Sequence, residues 1–417
     1  MNATIPAAQS ADAGLPTFPF QRQYPLDPPP EYGRLRAESP LARVRLYDGK
    51  TIWLATRWRD VRAVLTNPSF SVDPQLENYP AASASRAAQV RSRKTFINMD
   101  PPDHGRFRRM LTREFMQKRM EEIRPLAQQL VDGLIDAIIA KGPPADLVTD
   151  FASRLPVNLI SLLMGVPQAD RDQLRDWSEQ RNNHRLTPEH VLETSRLMED
   201  WLEDLIRAKM AAPGNGEDIL SRLAIDQINP GHITVTEAVR IASLLYSAGH
   251  GTTSNQIGLG ILSLLQHPRQ KALLEADLTR LPAAIEEMLR YHSIAHFNSA
   301  RVATADVEIG GQLIRAGEGV YAVVAAANRD PEIYPDADVF NIERVDPPPH
   351  LAFAFGIHQC LGQPLARLEL TVALTSLLER LPGLALAVPF EQLEFASMTQ
   401  VHGLLGLPVT WDQAAAR

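Results

Sequence analysis

Cys360, the only cysteine in the chain, offers the most distinctive chemistry of any single residue. Glycines flank it at Gly356 and Gly362, and a strongly helical segment begins directly after it. The dipole and the unpaired N–H groups of a helix N-terminus stabilise a cysteine thiolate, and glycines let the backbone turn closely around the sulfur. The loop therefore predicts a stabilised thiolate, with a buried, inert cysteine as the simpler alternative.

Other uses of Cys360 differ in how well its neighbours support them. A structural zinc ion needs more ligands than His358 and Cys360 supply, which argues against such a site. A cysteine nucleophile paired with a distant histidine base stays open. An intramolecular disulfide would need a second cysteine, so the composition fits a reducing compartment.

The loop around Cys360 resembles the haem-binding loop of the cytochrome P450 superfamily. The shared pattern is Phe353-x-x-Gly356-x-His358-x-Cys360-x-Gly362, with five specified residues in ten positions. By this resemblance Cys360 is the axial thiolate ligand of the iron in haem b (iron protoporphyrin IX), and His358 bonds to a haem propionate. Such a thiolate donates electron density, which favours cleavage of the O–O bond of dioxygen.

The resemblance extends over nearly the whole chain, from FPF at 18–20 to LPVTW at 407–411. It is nearest to the soluble bacterial cytochromes P450 and to the allied fungal-type nitric oxide reductase. Bacterial relatives often carry glycine at the position of Ala354, and we expect this departure to matter little. The implied fold is the cytochrome P450 fold, mainly α with a smaller β region, as one domain over 1–417 with an irregular segment at 1–30.

A second motif, in the segment 99–115, would contact the haem propionates. His104 and Arg108 lie four positions apart, so they share a helix face and can converge on an anion. Without the resemblance, a solvated basic helix is the simpler interpretation. The resemblance implies that these two residues, with Arg301 and His358, bind the two haem carboxylates, since buried charge must be paired.

A third motif implies a structural role. Glu287 and Arg290 lie three positions apart on a predicted helix, a spacing that permits an ion pair. They resemble the buried Glu-x-x-Arg of the family, which is completed by an arginine, here Arg344 after Phe340. The implied function is to hold the fold behind the cysteine loop.

The run AGHGTT at 248–253 lies within the longest predicted helix. The family pattern is Ala-Gly-x-acid-Thr-Thr, in which the threonine hydroxyl and the carboxylate supply protons for oxygen activation. Ala248 and Thr252 match this pattern, but Gly251 stands at the position of the acid. Small residues here would also let the haem and a ligand approach the helix backbone closely.

Three hypotheses explain how protons arrive without the acid. Water held through a locally opened helix at Gly251 could replace the carboxylate, and we favour this one. His250 could substitute, but adjacent helix positions point about 100° apart, so we expect it to face away. Alternatively, the reaction does not need the usual relay.

Substrate and partner surfaces follow from the resemblance. The implied pocket regions are 73–94, 177–188, 246–252, 294–298 and 398–401. Ile294, Phe297 and Met398 predict an apolar pocket with a few polar groups, although such residues can equally be core.

Two basic clusters suggest different electron donors. The segment 106–124, with seven basic residues and three acids, could dock an acidic ferredoxin. The cluster Arg86, Arg91, Arg93 and Lys94 contains no acid and lies where nitric oxide reductase relatives admit NADH. For both, a solvated surface is the alternative.

The elements that position these residues are mainly helical. Asp48-Gly49 between 42–47 and 51–55 predicts a hairpin, and 57–289 is mainly helical. Thr234 with Glu237 forms a capping-box pattern that opens a helix of about 30 residues, about 45 Å long, ending at His267-Pro268. Strand patterns return at 302–309 and 319–325.

Composition excludes several classes of protein. The 417 residues are 45% hydrophobic and 22% charged, with 42 basic and 49 acidic residues, which excludes collagen-like, disulfide-framework and disordered chains. A net charge of −7 gives no attraction to nucleic acid. Polar residues interrupt the most apolar stretch, 244–265, and the N-terminus lacks a signal pattern, so we expect a cytoplasmic protein without a membrane span.

The leading hypothesis is a haem-thiolate monooxygenase that inserts one oxygen atom into an apolar small organic substrate. Electrons would come from NAD(P)H through a ferredoxin reductase and a ferredoxin, because no dinucleotide-binding or iron–sulfur motif occurs in the chain. The alternatives are a nitric oxide reductase that uses NADH directly and a haem protein that binds a ligand without turnover.

Overall fold

This computed structural model describes residues 14–181, 186–295, 299–396 and 401–417. Helices form most of its secondary structure. They are α1 Pro30–Glu38, α2 Trp58–Thr66, α3 Ala84–Ser92, α4 Asp103–Thr112, α5 Gln117–Lys141, α6 Arg154–Met164, α7 Arg171–Arg181, α8 Pro188–Ala211, α9 Ile219–Leu223, α10 Val235–Gln266, α11 Pro268–Ala276, α12 Leu281–His292, α13 Val324–Ala327 and α14 Gln363–Arg380. The strands are β1 Leu41–Arg45, β2 Thr51–Ala55, β3 Phe70–Ser71, β4 Ala145–Asp146, β5 Ala300–Ala303, β6 Val307–Ile309, β7 Gln312–Ile314, β8 Gly319–Ala322, β9 Ala385–Leu386, β10 Phe395–Ala396, β11 Gly403–Leu404 and β12 Pro408–Thr410. The predicted class, mainly α with a smaller β region, is confirmed.

The long helix α10 begins and ends where the sequence predicted. Thr234 Oγ1 accepts the Glu237 N–H at 3.1 Å, and the Glu237 carboxylate accepts the Thr234 N–H at 2.7 Å, so the capping box is formed. The helix has 32 residues, or about 48 Å. It contacts α6, α8, α12 and α14 and therefore runs through the centre of the helical core. None of the helices in the described ranges is long and apolar enough to cross a membrane.

Glycine allows α10 to approach a neighbouring helix closely. A Cβ added at Gly249 would lie 3.1 Å from the Ile160 Cγ1 of α6. A Cβ added at Gly251 would meet no atom within 4 Å. Gly249 therefore faces the packed helix α6, whereas Gly251, two positions later, faces open space.

The main sheet has the strand order β1-β2-β8-β5-β3. The predicted hairpin is present: β1 and β2 pair antiparallel, and the Gly49 N–H donates to the Leu46 carbonyl in the turn. The predicted strand 302–309 is wrong in its continuity, because the chain turns between β5 and β6, where the Asp306 carboxylate accepts the Ala316 N–H. The predicted strand 319–325 ends at Ala322, since the alanine-rich run that follows forms α13.

A buried ion cluster links α12 to the cysteine loop. The Glu287 carboxylate contacts Arg290 at 2.7 Å and Arg344 at 3.1 Å, and all three side chains are buried or nearly so. Arg290 also donates to the Asn328 carbonyl, and the Asn328 side-chain oxygen accepts the Leu351 N–H at 2.7 Å. The structure therefore brings the three predicted charged residues together, and two hydrogen bonds through Asn328 connect them to the loop that contains Cys360.

Candidate functional site

The cysteine loop is held by its own backbone. The Cys360 N–H donates to the Phe353 carbonyl at 2.9 Å, which closes the loop immediately before α14. Gly356 has φ of 78°, and a Cβ there would lie 2.8 Å from the Leu65 carbonyl oxygen, so only glycine fits. Ala354 has φ of 57°, where alanine costs about 1 kcal/mol relative to glycine. The departure at Ala354 therefore has a small stability cost.

The surroundings of the Cys360 sulfur shift the pKa of its thiol in opposite directions. The side chain is exposed, but the surrounding protein still desolvates it, and this burial raises the pKa of the thiol. The N–H groups of Gly362 and Gln363 and the charge of Arg108 act in the opposite direction. Because the net effect on the pKa is upward, the helix N-terminus does not by itself produce the predicted thiolate. A metal cation bound to the sulfur would supply the missing stabilisation.

Two histidines from distant parts of the sequence meet beside this loop. The rings of His104 and His358 have centroids 4.1 Å apart. His104 Nε2 and His358 Nδ1 are buried and have no hydrogen-bond partner among the described residues. Burial, followed by the charges of Arg301, His104 and Arg108, lowers the pKa of His358 to about 3, so its ring is neutral at pH 7. These two unsatisfied ring nitrogens point to a missing hydrogen-bonding ligand.

Arg301 adds a buried positive charge to the same group. Its side chain is 5% exposed, and it donates to the Ala300 carbonyl at 2.8 Å. No carboxylate of the described residues lies within 4 Å of it, and burial lowers its pKa to about 10. Buried cations normally have an anionic partner, so Arg301 and Arg108, together with the ring nitrogens of His104 and His358, fit the carboxylates that a haem would bring to this site.

The face of α10 that contains the oxygen-activation motif is polar. Thr252 Oγ1 donates to the Ala248 carbonyl at 2.9 Å, and Asn255 Nδ2 donates to the Gly251 carbonyl at 2.8 Å. The helix is continuous here, so the expected local opening at Gly251 is absent. Side-chain donors bind to the carbonyls of an intact helix instead.

His250 faces away from this polar face, as expected. The side chain is 4% exposed, and Nδ1 lies 3.0 Å from the Tyr246 carbonyl oxygen. Burial lowers the pKa of His250, which keeps the ring neutral. His250 is therefore not placed to substitute for the missing acid.

Asn255 is a functional candidate that sequence reasoning missed. In the sequence it is only a polar interruption of an apolar stretch, although it lies four positions after Gly251 and therefore on the same face. A Cβ added at Gly403 of β11 would lie 1.6 Å from Asn255 Oδ1. The C-terminal region thus leaves room for this side chain only because residue 403 is glycine.

Two of the predicted pocket regions lie side by side. The Ile294 carbonyl accepts the His402 N–H at 2.9 Å, and Ala295 pairs with Val401 in an isolated β-bridge. Ile294 is partly buried against the main core. Phe297 and Met398, the other predicted pocket residues, lie outside the described residues.

Both basic clusters are partly ion-paired, with acids from distant segments and from the same helix. Arg93 contacts Glu199 at 3.0 Å, and Lys94 contacts Asp73 at 2.7 Å. In the segment 106–124, pairs with acids form at Arg106, Arg113, Arg119 and Arg124. Arg108, Arg109 and Lys118 have no carboxylate of the described residues within 4 Å. The cluster at 86–94 is therefore less positive than its sequence predicts. In the second cluster Arg109 and Lys118 stay available, whereas Arg108 belongs to the group beside Cys360.

Known proteins resemble this chain over nearly its full length. The family model for cytochrome P450 matches residues 200–382. Vitamin D3 dihydroxylase of Streptomyces griseolus is 43% identical over 412 residues, 99% of this chain and 100% of the relative. Pentalenic acid synthase of Streptomyces avermitilis is 44% identical over 395 residues, 94% of this chain and 97% of the relative.

The three-dimensional likeness is equally extensive. The crystal structure of GfsF, a cytochrome P450 of Streptomyces halstedii, is 40% identical and has a TM-score of 0.89. That likeness covers 95% of this chain and all of the GfsF chain. Because relatives above 40% identity match nearly the whole of both chains, this chain belongs to the cytochrome P450 family.

Proposed function

We propose that this cytochrome P450 monooxygenase uses haem b to insert one atom of dioxygen into an apolar small organic substrate. The observation that carries the proposal is the group beside Cys360 that joins two arginines, Arg301 and Arg108, to two uncharged histidines, His104 and His358. When bound, the haem would supply the oxygen-activating chemistry. The names of two relatives, vitamin D3 dihydroxylase and pentalenic acid synthase, support an organic substrate.

Each side chain of the site has a distinct proposed role. Cys360 would bind the iron, Arg301 and Arg108 would neutralise the haem propionates, and His104 and His358 would hydrogen-bond to them and fix their orientation. Ala248, Gly251 and Thr252 present the α10 face to the reacting centre, with Ile294 on the substrate side. Phe297 and Met398, outside the described residues, stay predicted pocket residues. Glu287, Arg290 and Arg344 hold the loop in place through Asn328 and Leu351.

Proton delivery is proposed to use water beside Gly251. The open space at the Gly251 Cα, rather than a gap in the helix, would accommodate this water. The Thr252 hydroxyl lies one position further along and can donate or accept a proton once it leaves the Ala248 carbonyl.

Gly251→Glu tests this proton route. We expect the fraction of NAD(P)H electrons recovered in product to rise or to stay unchanged, because the new side chain has space and restores an acid to the family position. The matched variant Gly249→Glu is expected to destabilise the protein, since its Cβ meets Ile160. A severe loss of activity in Gly251→Glu, with normal haem spectra, would instead show that Gly251 makes room for the substrate.

Electrons are proposed to arrive from NAD(P)H through a ferredoxin reductase and a ferredoxin in the cytoplasm. Arg109 and Lys118, which lack carboxylate partners among the described residues, are the proposed docking charges for the acidic ferredoxin. Charged patches of this kind raise the rate of encounter more than the affinity, so reduction should slow steeply with added salt.

A nitric oxide reductase using NADH directly is the second candidate, and only the missing acid at Gly251 favours it. The pairing of Arg93 and Lys94 with acids weakens the proposed NADH entrance. Anaerobic incubation of the purified protein with NADH and nitric oxide, without a redox partner, separates the two functions. We expect no loss of NADH absorbance in protein whose carbonyl spectrum shows thiolate ligation. Rapid NADH loss with formation of nitrous oxide would make the reductase the function of this chain.

A further inference from the structure

Four arginines of the described residues are less than a tenth exposed, and they divide into two pairs. Arg290 contacts Glu287, and Arg329 contacts Asp338 and Asp27. Arg301 and Arg181 contact no carboxylate of the described residues within 4 Å. Arg301 belongs to the proposed haem site, which leaves Arg181 as a second buried cation that needs an anion.

Arg181 ends α7 and lies between several helices. Its guanidinium hydrogen-bonds to the Ser243 hydroxyl of α10 and lies 3.9 Å from the Met198 sulfur of α8. Its Nε is buried and has no hydrogen-bond partner in the described part of the chain. The contacts present are thus a neutral hydroxyl and a thioether, which do not neutralise its charge.

The charges around Arg181 are predominantly positive. Its nearest charged neighbours are Glu199, Arg93 and Arg86, and the Glu199 carboxylate is already paired with Arg93. The three guanidinium groups and the one carboxylate of this cluster together carry a net charge of +2. Burial is the main reason that the pKa of Arg181 falls to about 10, so it remains charged at pH 7. The chain segments 182–185, 296–298 and 397–400 contain no aspartate or glutamate that could pair with it.

The position of Arg181 connects it to the reaction site along α10. Ser243, Ser247 and Gly251 are spaced four residues apart and form one face of the helix. Ser178, on the same helix as Arg181, lies 3.3 Å from Ser247 through their hydroxyl oxygens. Ser243 and Gly251 are separated by about 12 Å along the axis. The Ser178–Ser247 contact lies between them, so a ligand that reaches from Arg181 to the open space at Gly251 would have to pass beside this contact or displace it.

We propose that Arg181 binds the carboxylate of the substrate, which makes apolar monocarboxylic acids the preferred substrate class. This proposal rests on the proposed function, because it assumes that the oxidised carbon lies near Gly251. A carboxylate would accept hydrogen bonds from the guanidinium, including its unused Nε, and neutralise a charge that the protein leaves unpaired. The apolar body of the acid would then lie along α10 toward the haem.

Equilibrium binding to the haem-loaded protein tests the proposal without turnover. Decanoate, dodecanoate and abietate are each compared with their methyl esters, by calorimetry and by the shift of the Soret band. We expect each acid that binds to have a Kd at least about tenfold lower than that of its ester. The reason is that a hydrogen bond to a charged group contributes this much to binding. Arg181→Gln should remove this preference by weakening the acid about ten- to hundredfold while leaving the ester unchanged.

Three controls make the result specific. Arg181→Lys should retain part of the preference, because it keeps the charge without the fork of donors. Arg175→Gln, on the same helix but paired with Asp172 and Asp176 near the surface, should retain all of it. Arg181→Met should be at least as stable as the unchanged protein, since it removes an unpaired buried charge.

Several results would overturn the assignment of a carboxylate site. These are equal binding of acids and esters, no binding of any of the three acids, or an acid preference that survives in Arg181→Gln. Calorimetric binding of the acid does not depend on oxygen, electrons or product. A failed monooxygenase assay would therefore leave the Arg181 result standing, and a failed acid preference would leave the haem assignment standing.

Discussion

Replacing Cys360 with serine is expected to abolish the red-shifted Soret band of the reduced carbonyl complex, and with it monooxygenase turnover. Serine is nearly the same size as cysteine, so the loop closed by the Cys360 N–H and the Phe353 carbonyl should still form. Its hydroxyl ionises far less readily than a thiol and is a poor ligand for an iron that needs strong electron donation. The measurement is the difference spectrum of the reduced protein with and without carbon monoxide.

The adjacent variant Gln359→Ala is the matched control. It alters the same loop but leaves Cys360 and the backbone hydrogen bond of Gln359 to Gly356 in place. Its carbonyl spectrum should be that of the unchanged protein. An unchanged band in Cys360→Ser would refute the assignment of Cys360 as the iron ligand, whatever the activity.

Glu287→Gln is expected to lower the free energy of unfolding by about 3–5 kcal/mol, because it leaves two arginines without their shared buried carboxylate. Arg290 is 2% exposed and contacts Glu287 through two nitrogens, at 2.7 and 2.8 Å. Arg344 contacts both oxygens of the same carboxylate at 3.1 Å. Urea unfolding followed by circular dichroism measures the change.

The same variant should lose haem more readily than the unchanged protein. Arg290 supports the Asn328 carbonyl, and Asn328 in turn accepts the Leu351 N–H at the start of the cysteine loop. A displaced Arg290 side chain would therefore weaken the contact of Asn328 with the cysteine loop. The haem content of the purified variant, measured per chain, reports this effect.

A surface ion pair gives the control for Glu287→Gln. Glu193 pairs with Arg196 on α8, and both side chains are more than half exposed. Glu193→Gln should leave both the urea midpoint and the haem content unchanged, since exposed pairs contribute little. If Glu287→Gln also left the midpoint unchanged, the buried cluster would not be the support that we propose.

The sequence alone determined the local features of this protein, because their causes lie within a few residues. The capping box of Thr234 and Glu237 starts α10 through contacts three positions apart, and Asp48-Gly49 turns the first hairpin through its own backbone preference. The cysteine loop is likewise recognisable from the spacing of the residues around Cys360, all within ten positions. Each of these features forms from neighbours that the chain keeps adjacent.

Only the tertiary structure decided which distant charges meet. Lys94 appears unpaired in the sequence, yet folding brings it to Asp73, 21 positions away, whereas Arg181 is buried without any carboxylate of the described residues. The room that Gly403 leaves for Asn255 is equally invisible in the sequence, because those residues are 148 positions apart. Pairing and burial depend on which surfaces come together, and composition or spacing along the chain does not specify those distances. The haem loop was therefore predictable from its own residues, but the unpaired cation proposed to select the substrate was not.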